Sequence, residues 1–459
     1  MMILQPTLSE IASIVGTKHL KVAHQEISEF GADATKFHAM PDAVAFPGSA
    51  EEVSMILTLA TRDRFPVVVR GAGSGMSGGA VPARGGLVLA MERFNRIVSI
   101  DEENMVAQVE SGVITADFKD AVSARGLFYP PDPASIKIST IGGNLAECAG
   151  GLRAVKYGVT RDYVLGMKVV LPTGDILDTG VETMKGVAGY DLTRLIVGSE
   201  GTLAVIVSAT LRLVPLPETS QTMLVFFADL PTAVNTVTKI IQGGTMPAVM
   251  ELVDSLCLSL IREEVNIRIP DGAKAMLLVE LDGDKDSVKF HTDQVKKVCV
   301  EQGCLDLITA STAEEAELLW EARRNISPSL YKLRPHKVSE DVVVPRTKMA
   351  DIVRFLSGIS ATYGIPIPVF GHAGDGNLHV NIMLDKNDPE EMKKADHIVT
   401  RLFEKVLELG GTITGEHGVG ITKRRYLHME IPPAGLSLMR RIKLAFDPAG
   451  ILNPYKIFP

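Results

Sequence analysis

The chain has 459 residues, 46% of them hydrophobic and 22% charged, with a formal net charge of −8. That length is long for one core and makes two or three domains the expectation. The negative charge speaks against a nucleic-acid binder that works by phosphate neutralisation, and an acidic substrate would need a local cation rather than a global field.

Residues 1–30 carry helical patterning that ends near Gly31, after a start with no basic stretch ahead of an apolar run, so no signal peptide is expected. Ala43-Val44-Ala45-Phe46-Pro47 reads as a short strand. Ser49-Ala50-Glu51-Glu52 is a capping box, which predicts a helix from Ala50 to about Arg62. The β-branched run Pro66–Arg70 predicts a buried strand, and Gly71–Gly79 a loop. Leu87–Leu89 and Met105–Val109 predict further strands. Residues 130–166 are rich in Pro and Gly. Lys168–Leu171 and Ile176-Leu177 flank the turn Pro172-Thr173-Gly174-Asp175 and predict a hairpin. Leu203–Leu213 predicts another strand, and Pro215-Leu216-Pro217 a boundary. Strand-like and helix-like runs alternate over 223–310. Asp388-Pro389-Glu390 caps a helix expected to reach Gly410-Gly411. The mixture is that of an α+β protein. No apolar stretch reaches the roughly 18–20 residues of a membrane span. The four cysteines, Cys148, Cys257, Cys299 and Cys304, contain no CxxC and suit neither a zinc knot nor an iron–sulfur cluster. Reduced thiols and a cytoplasmic location are expected, with peripheral membrane contact left open.

Three segments suggest a cofactor bed. Gly73-Ser74-Gly75-Met76-Ser77-Gly78 satisfies GxGxxG literally, but Gly79, Pro82, Gly85 and Gly86 follow and no helix can open there, which excludes the dinucleotide fingerprint. Bare backbone N–H groups can still wrap a pyrophosphate without a helix. A second small-residue segment runs from Ile138 through Thr140, Gly142, Gly143 and Asn144 to Ala149-Gly150-Gly151, and on to Tyr157-Gly158. Gly198-Ser199-Glu200-Gly201-Thr202 is the third. Together they suit a large cofactor with phosphates and a flat ring.

A different chemistry is written at 371–381, Gly-His-Ala-Gly-Asp-Gly-Asn-Leu-His-Val-Asn, and at Gly415-Glu416-His417-Gly418. Seven positions separate His372 from His379, which would face opposite ways on one strand; a reversal at Gly-Asp-Gly-Asn removes that objection. Asn381 should share a face with His379. Glu416 could add an oxygen ligand, and two imidazoles with one carboxylate make an open, catalytic set for Zn, Mn or Fe(II). Simple hydrogen bonding in a turn would explain one histidine better than this group.

These segments jointly resemble the FAD-binding family of the vanillyl-alcohol oxidase / p-cresol methylhydroxylase (PCMH) type. Within it they resemble the branch of FAD-linked D-lactate dehydrogenase, the flavin subunit of glycolate oxidase and D-2-hydroxyglutarate dehydrogenase. The resemblance runs from Pro41-Asp42 to Leu452-Asn453-Pro454. It implies a two-subdomain FAD-binding domain over 1–218, an antiparallel-sheet-and-helix substrate domain over 219–420, and a C-terminal segment, 421–459, returning to the FAD domain. By resemblance, Arg70, Gly71, Ala72, Gly73, Ser74, Gly75, Met76, Ser77 and Gly78 cradle the FAD pyrophosphate. Pro131, Asp132, Ser135, Thr140, Gly142, Gly143, Asn144, Ala149, Gly150, Gly151, Tyr157, Gly158, Glu200, Gly201 and Asn453 complete the FAD set. Residues 66–83 contain no His, so the flavin is expected to be non-covalent. The resemblance makes His372, His379 and Glu416 the metal ligands, His417 the general base and Asn381 a substrate-side polar residue.

Trp320–Ser327 resembles the family's arginine-bearing helix, which makes Arg323 the expected partner of the substrate carboxylate, with Lys337 a second candidate. The chain departs from the 2-hydroxyglutarate members around 328–340, which favours a short substrate: D-lactate, then glycolate. The expected activity is metal-assisted oxidation of a D-2-hydroxy acid by hydride transfer to flavin N5, with electrons leaving to an iron–sulfur subunit, an electron-transferring flavoprotein or a quinone. The competing readings are an electron-relay flavin subunit without substrate chemistry and a non-redox transferase on the same scaffold. The oligomeric state is not written in the sequence.

Overall fold

The computed structural model describes residues 3–459. It divides into two compact units: the chain up to Gly151 with Val159–Leu216 and Glu416–Pro459, and Leu152–Gly158 with Pro217–Gly415. Among the described residues no helix is long and apolar enough to cross a membrane.

The first unit contains two main sheets. The strands β1 (Leu20–Lys21), β2 (Ala43–Ala45), β3 (Val67–Arg70) and β4 (Leu87–Ala90) form one sheet in the order β1-β2-β4-β3. β2, β4 and β3 are parallel, and β1 is antiparallel to β2. Parallel strands need crossovers, and the helix Ala50–Asp63 carries the chain from β2 to β3, on the two sides of β4. Ser49 Oγ accepts the Glu52 amide as the capping box predicts, while the Glu52 carboxylate reaches one residue further back, to the Gly48 amide at 2.6 Å. The helix buries Val53, Ile56, Leu57, Leu59 and Ala60 against Phe65, Val67, Leu87 and Leu89. The amino-terminal thirty residues are not one helical stretch. A helix runs over Gln5–Val15, turns out at Gly16, and is followed by β1, which exists because it pairs with Val44 and Ala45.

The second sheet of this unit is antiparallel throughout: β5 (Ile97–Asp101), β6 (Val106–Glu110), β8 (Val164–Val170), β9 (Ile176–Gly180) and β10 (Val205–Arg212), in the order β5-β6-β10-β8-β9. β7 (Leu127–Phe128) pairs separately with β11 (Val214–Pro215). β8 and β9 are the predicted hairpin. The Pro/Gly-rich stretch holds a helix that the sequence reading missed, Ile141–Glu147, capped by Thr140 Oγ1 on the Gly143 amide.

The second unit is built on one seven-stranded antiparallel sheet. Its strands are β12 (Thr219–Phe227), β13 (Val249–Val253), β14 (Ala275–Gly283), β15 (Asp306–Thr309), β16 (His336–Val343), β17 (Val369–His372) and β18 (Asn377–Leu384), ordered β15-β12-β14-β13-β17-β18-β16. One face carries Leu224, Phe226, Val253, Met276, Leu278, Phe370 and Met383. It packs against Leu258 and Ile261 of the helix Ser255–Ile261 and against Leu319 and Ala322 of the helix Ala313–Arg324. The other face is also buried, and the helices Leu230–Gln242 and Lys285–Glu301 pack on β12 and β14. The helix Pro389–Glu408, capped by Asp388, contacts β16 and β18. The α+β class, with an antiparallel sheet in the second unit, is as the sequence predicts.

Candidate active site

The glycine loop of the first unit opens a cavity. Its wall includes Gly71, Ala72, Gly73, Ser74, Gly75, Met76, Ser135, Thr140, Gly142, Gly143, Asn144, Ala149, Gly150, Glu200, Gly201 and Asn453, all expected from the sequence, together with Glu416 and His417. Ser139 and Glu147 of the second small-residue segment also line it, as do Ser111, Ala204 and Ile206, which had no signal in the sequence. Bare backbone is a spatial requirement here. A Cβ on Gly142 would lie 2.6 Å from that of Ser111, and one on Gly71 would lie 2.3 Å from Thr140 Oγ1. Ser111 Oγ is buried with no hydrogen-bond partner in the protein, as a group awaiting a polar ligand would be. The cavity fits a phosphorylated, flat-ringed cofactor.

Other expected cofactor residues are not in this wall. Arg70 lines an adjoining hollow with Gly71, Ala72 and Thr140; its Nη1 donates to Ala32 O at 2.6 Å, and burial lowers its pKa. Ser77 and Gly78 turn towards the C-terminal segment: Ser77 O accepts the Ile421 amide, and Gly78 O accepts Lys456 Nζ. Pro131, Asp132 and Gly151 lie outside the cavity lining, and a Cβ on Gly151 would meet Asp132 O at 2.5 Å. Tyr157 and Gly158 belong to the second unit, where the Tyr157 hydroxyl donates to Asp282 Oδ2.

The loop that follows His417 is held by buried charges. Glu200 accepts the Val419 amide at 2.7 Å and the Gly420 amide at 2.6 Å. Gly418 must lack a side chain, because a Cβ would sit 2.6 Å from Glu147 Oε2. Glu200 is buried and so is Oε2 of the half-buried Glu147, and desolvation raises both carboxyls; the charge of Glu200 pushes Glu147 further. Lys456 Nζ donates to Gly78 O at 2.6 Å, Gly79 O at 2.8 Å and Val81 O at 2.6 Å, and burial lowers its pKa to about 8.

In the second unit, register gathers a polar group on one sheet face. Residues directly opposite in an antiparallel pair point the same way. Glu251 faces His372, Phe370 faces His379, and His379 faces Asp341. Asn381 faces Ser339, and Lys337 lies two residues along on the same side. The rings of His372 and His379 are 5.0 Å apart and perpendicular. His372 is the last residue of β17, so it belongs to the strand rather than to the turn.

Arg323 reaches this face from its helix, stacked 4.5 Å above the Phe370 ring. Its Nε and Nη2 each lie 2.7 Å from Glu251 Oε2, and Glu251 Oε1 meets His372 Nδ1. Burial alone would raise the Glu251 carboxyl, but His372 and Arg323 outweigh it and hold it at about 2. Asn381 is fully buried: its Oδ1 accepts Ser339 Oγ, and its Nδ2 donates to His379 O. Lys337 Nζ is 3.4 Å from Ser327 Oγ. Asp341 accepts Asn377 Nδ2, Thr414 Oγ1 and the Gly415 amide, fixing the residue that precedes Glu416 in the chain. Glu251 and Asp341 were not among the expected site residues.

Comparison with known proteins agrees with this picture. A family model described as FAD linked oxidases, C-terminal domain, matches residues 216–457, and one described as an FAD binding domain matches 41–180. The glycolate oxidase subunit GlcD of Bacillus subtilis (strain 168) is 45% identical over 100% of this chain and 97% of its own length. A D-lactate dehydrogenase of Anaerostipes hadrus is 33% identical, covering 98% of this chain and 97% of its own. The solved structure of p-cresol methylhydroxylase with substrate bound shares the fold, with a TM-score of 0.81 over 99% of this chain and 97% of that one at 17% identity. With an FAD-binding domain, an FAD-oxidase C-terminal domain and full-length relatives, the chain belongs to the FAD-linked oxidases.

Proposed function

We propose that this protein oxidises a small D-2-hydroxy acid, D-lactate or glycolate, to the 2-oxo acid, using non-covalent FAD and one divalent cation (Zn, Mn or Fe(II)). The observation that carries the reading is the grouping of two imidazoles and an arginine on one face of the second unit's sheet. By the resemblance, His372 and His379 would each offer a ring nitrogen and Glu416 a carboxylate oxygen to the cation. The donor set fits, because two imidazoles and one carboxylate leave coordination positions for substrate. The names of the relatives, glycolate oxidase subunit and D-lactate dehydrogenase, support the same substrate class.

FAD would supply the acceptor for the α-hydrogen and its electron pair, and the cation would supply Lewis-acid polarisation of the substrate hydroxyl. The rest falls to the chain. An imidazole nitrogen of His417 takes the hydroxyl proton. The guanidinium N–H groups of Arg323 not engaged by Glu251 pair with the substrate carboxylate, and Lys337 adds a second cation on the same sheet face. Asn381, held by Ser339, Pro368 and His379, is a polar residue on the substrate side of the same face. The four cysteines are free and carry no cluster motif, so electrons leave to a separate acceptor: an iron–sulfur subunit, an electron-transferring flavoprotein or a quinone.

The test is anaerobic mixing of FAD- and metal-replete protein with D-lactate or glycolate while the flavin band is followed. Rapid bleaching, lost in His417→Ala, is expected. A flavin band that neither acid bleaches would overturn the substrate assignment, and undiminished bleaching in the variant would overturn the base.

A further inference from the structure

Glu251 sits at the centre of Val249-Met250-Glu251-Leu252-Val253, an otherwise apolar strand buried at every position. A fully buried carboxylate persists there only with partners. Glu251 has two, from different parts of the chain: His372 is 121 positions away and Arg323 is 72. Each carboxylate oxygen serves one of them, Oε1 for His372 Nδ1 and Oε2 for the Nε and Nη2 of Arg323. Nδ1 is thus the ring nitrogen of His372 engaged by the carboxylate, and Nε2 is the one on the far side of the ring.

We propose that Glu251 is a positioning residue for both substrate-handling groups: it fixes His372 in the Nδ1–H tautomer, which presents Nε2 to a metal ion, and it holds the Arg323 fork at a set distance from that ion. The inference rests on the metal role of His372 proposed above. Ligating histidines commonly donate their second N–H to a carboxylate, and loss of that partner typically lowers metal affinity by about 10–100-fold. An ion pair that served stability alone would leave metal affinity untouched.

The experiment is competition of FAD-replete, metal-stripped protein with a chromophoric chelator for Zn²⁺ and for Mn²⁺. Wild type, E251Q and H372A are compared, with flavin absorbance and circular dichroism as controls on folding. In E251Q one amide end must face a donor, so the metal Kd is expected to weaken by about 10–100-fold, with KM for the hydroxy acid rising more than kcat falls. If H372A binds metal as wild type does, the metal reading itself is wrong. If H372A loses metal but E251Q stays within about threefold of wild type, the role of Glu251 is overturned and the metal reading stands. Should E251Q fail to hold FAD, E251D replaces it; its shortened carboxylate is expected to weaken the metal Kd, and a wild-type value overturns the proposal.

Discussion

Replacing Lys456 by Met, a residue outside the cavity wall, is expected to loosen the glycine loop. The ammonium donates to three carbonyls of that loop, Gly78, Gly79 and Val81, at 2.6–2.8 Å. Leaving each of them buried and unbonded costs about 1–3 kcal/mol, or about 6 kcal/mol together at mid-range. Part of this is offset, because burial already lowers the lysine from 10.5 to about 8. At about 1.4 kcal/mol per pKa unit, removing the buried charge returns about 3 kcal/mol. The net loss is about 3 kcal/mol, which in a unit of this size lowers Tm by about 6–12 °C. FAD must then order the loop on binding, so its Kd should rise about tenfold or more, read by equilibrium ultrafiltration of the flavin. The pH dependence has a definite sign. With a folded pKa below the unfolded one, the native state binds fewer protons between about pH 8 and 10.5, so this lysine makes wild-type stability rise with pH there. That gain should be absent from K456M. A variant with wild-type Tm, wild-type FAD affinity and the same alkaline profile would refute the reasoning.

Gly376→Ala should destabilise the second unit by about 2–4 kcal/mol, because φ is +86° and a Cβ would lie 2.0 Å from Val344 O; a denaturation midpoint equal to wild type would contradict it. Glu147→Gln should change the acid limb of stability. The folded carboxyl titrates above its ordinary 4.5, so the native state holds a proton that the unfolded chain has lost, and stability falls as pH rises through that window. The glutamine variant should lack this fall in Tm measured from pH 4.5 upward. Glu200→Gln leaves only one acceptor oxygen for the Val419 and Gly420 amides; flavin reduction by substrate should slow about tenfold while the FAD content stays constant, and an unchanged rate would show that the loop does not position His417.

Local chemistry that decides its own conformation was legible in the sequence. Ser49 and Glu52 announced the helix Ala50–Asp63, and Asp388-Pro389 announced Pro389–Glu408. The glycines after Gly78 ruled out a helix in the first loop, and none is there. What failed was structure made by distant partners. Ile141–Glu147 opens on two glycines, which disfavour a helix, yet Thr140 caps it and Asn144 Nδ2 is held by Thr115 Oγ1 at 2.8 Å. β1 had no strand pattern because its existence depends on β2.

The site shows the same division. Groups that could face ligand are crowded by glycine and histidine motifs, and the sequence displays them together. The acids behind them, Glu251 and Asp341, are single charges in apolar strands, with no neighbour in sequence to mark them. One signal was available: a lone carboxylate in Val-Met-Glu-Leu-Val is either exposed or partnered, and a strand buried on both faces leaves only the second choice. The same fact bears on how the fold is specified. Apolar alternation fixes register where one face of a strand is wet, and β13 has no wet face. A slip of one residue would cost little in apolar burial, but it would send Glu251 to the opposite face, away from His372 and Arg323, as a buried charge without a partner. The contact that equips the site therefore also selects the pairing of β13 with β17, so a variant that loosens Glu251 weakens the register on which both histidines depend.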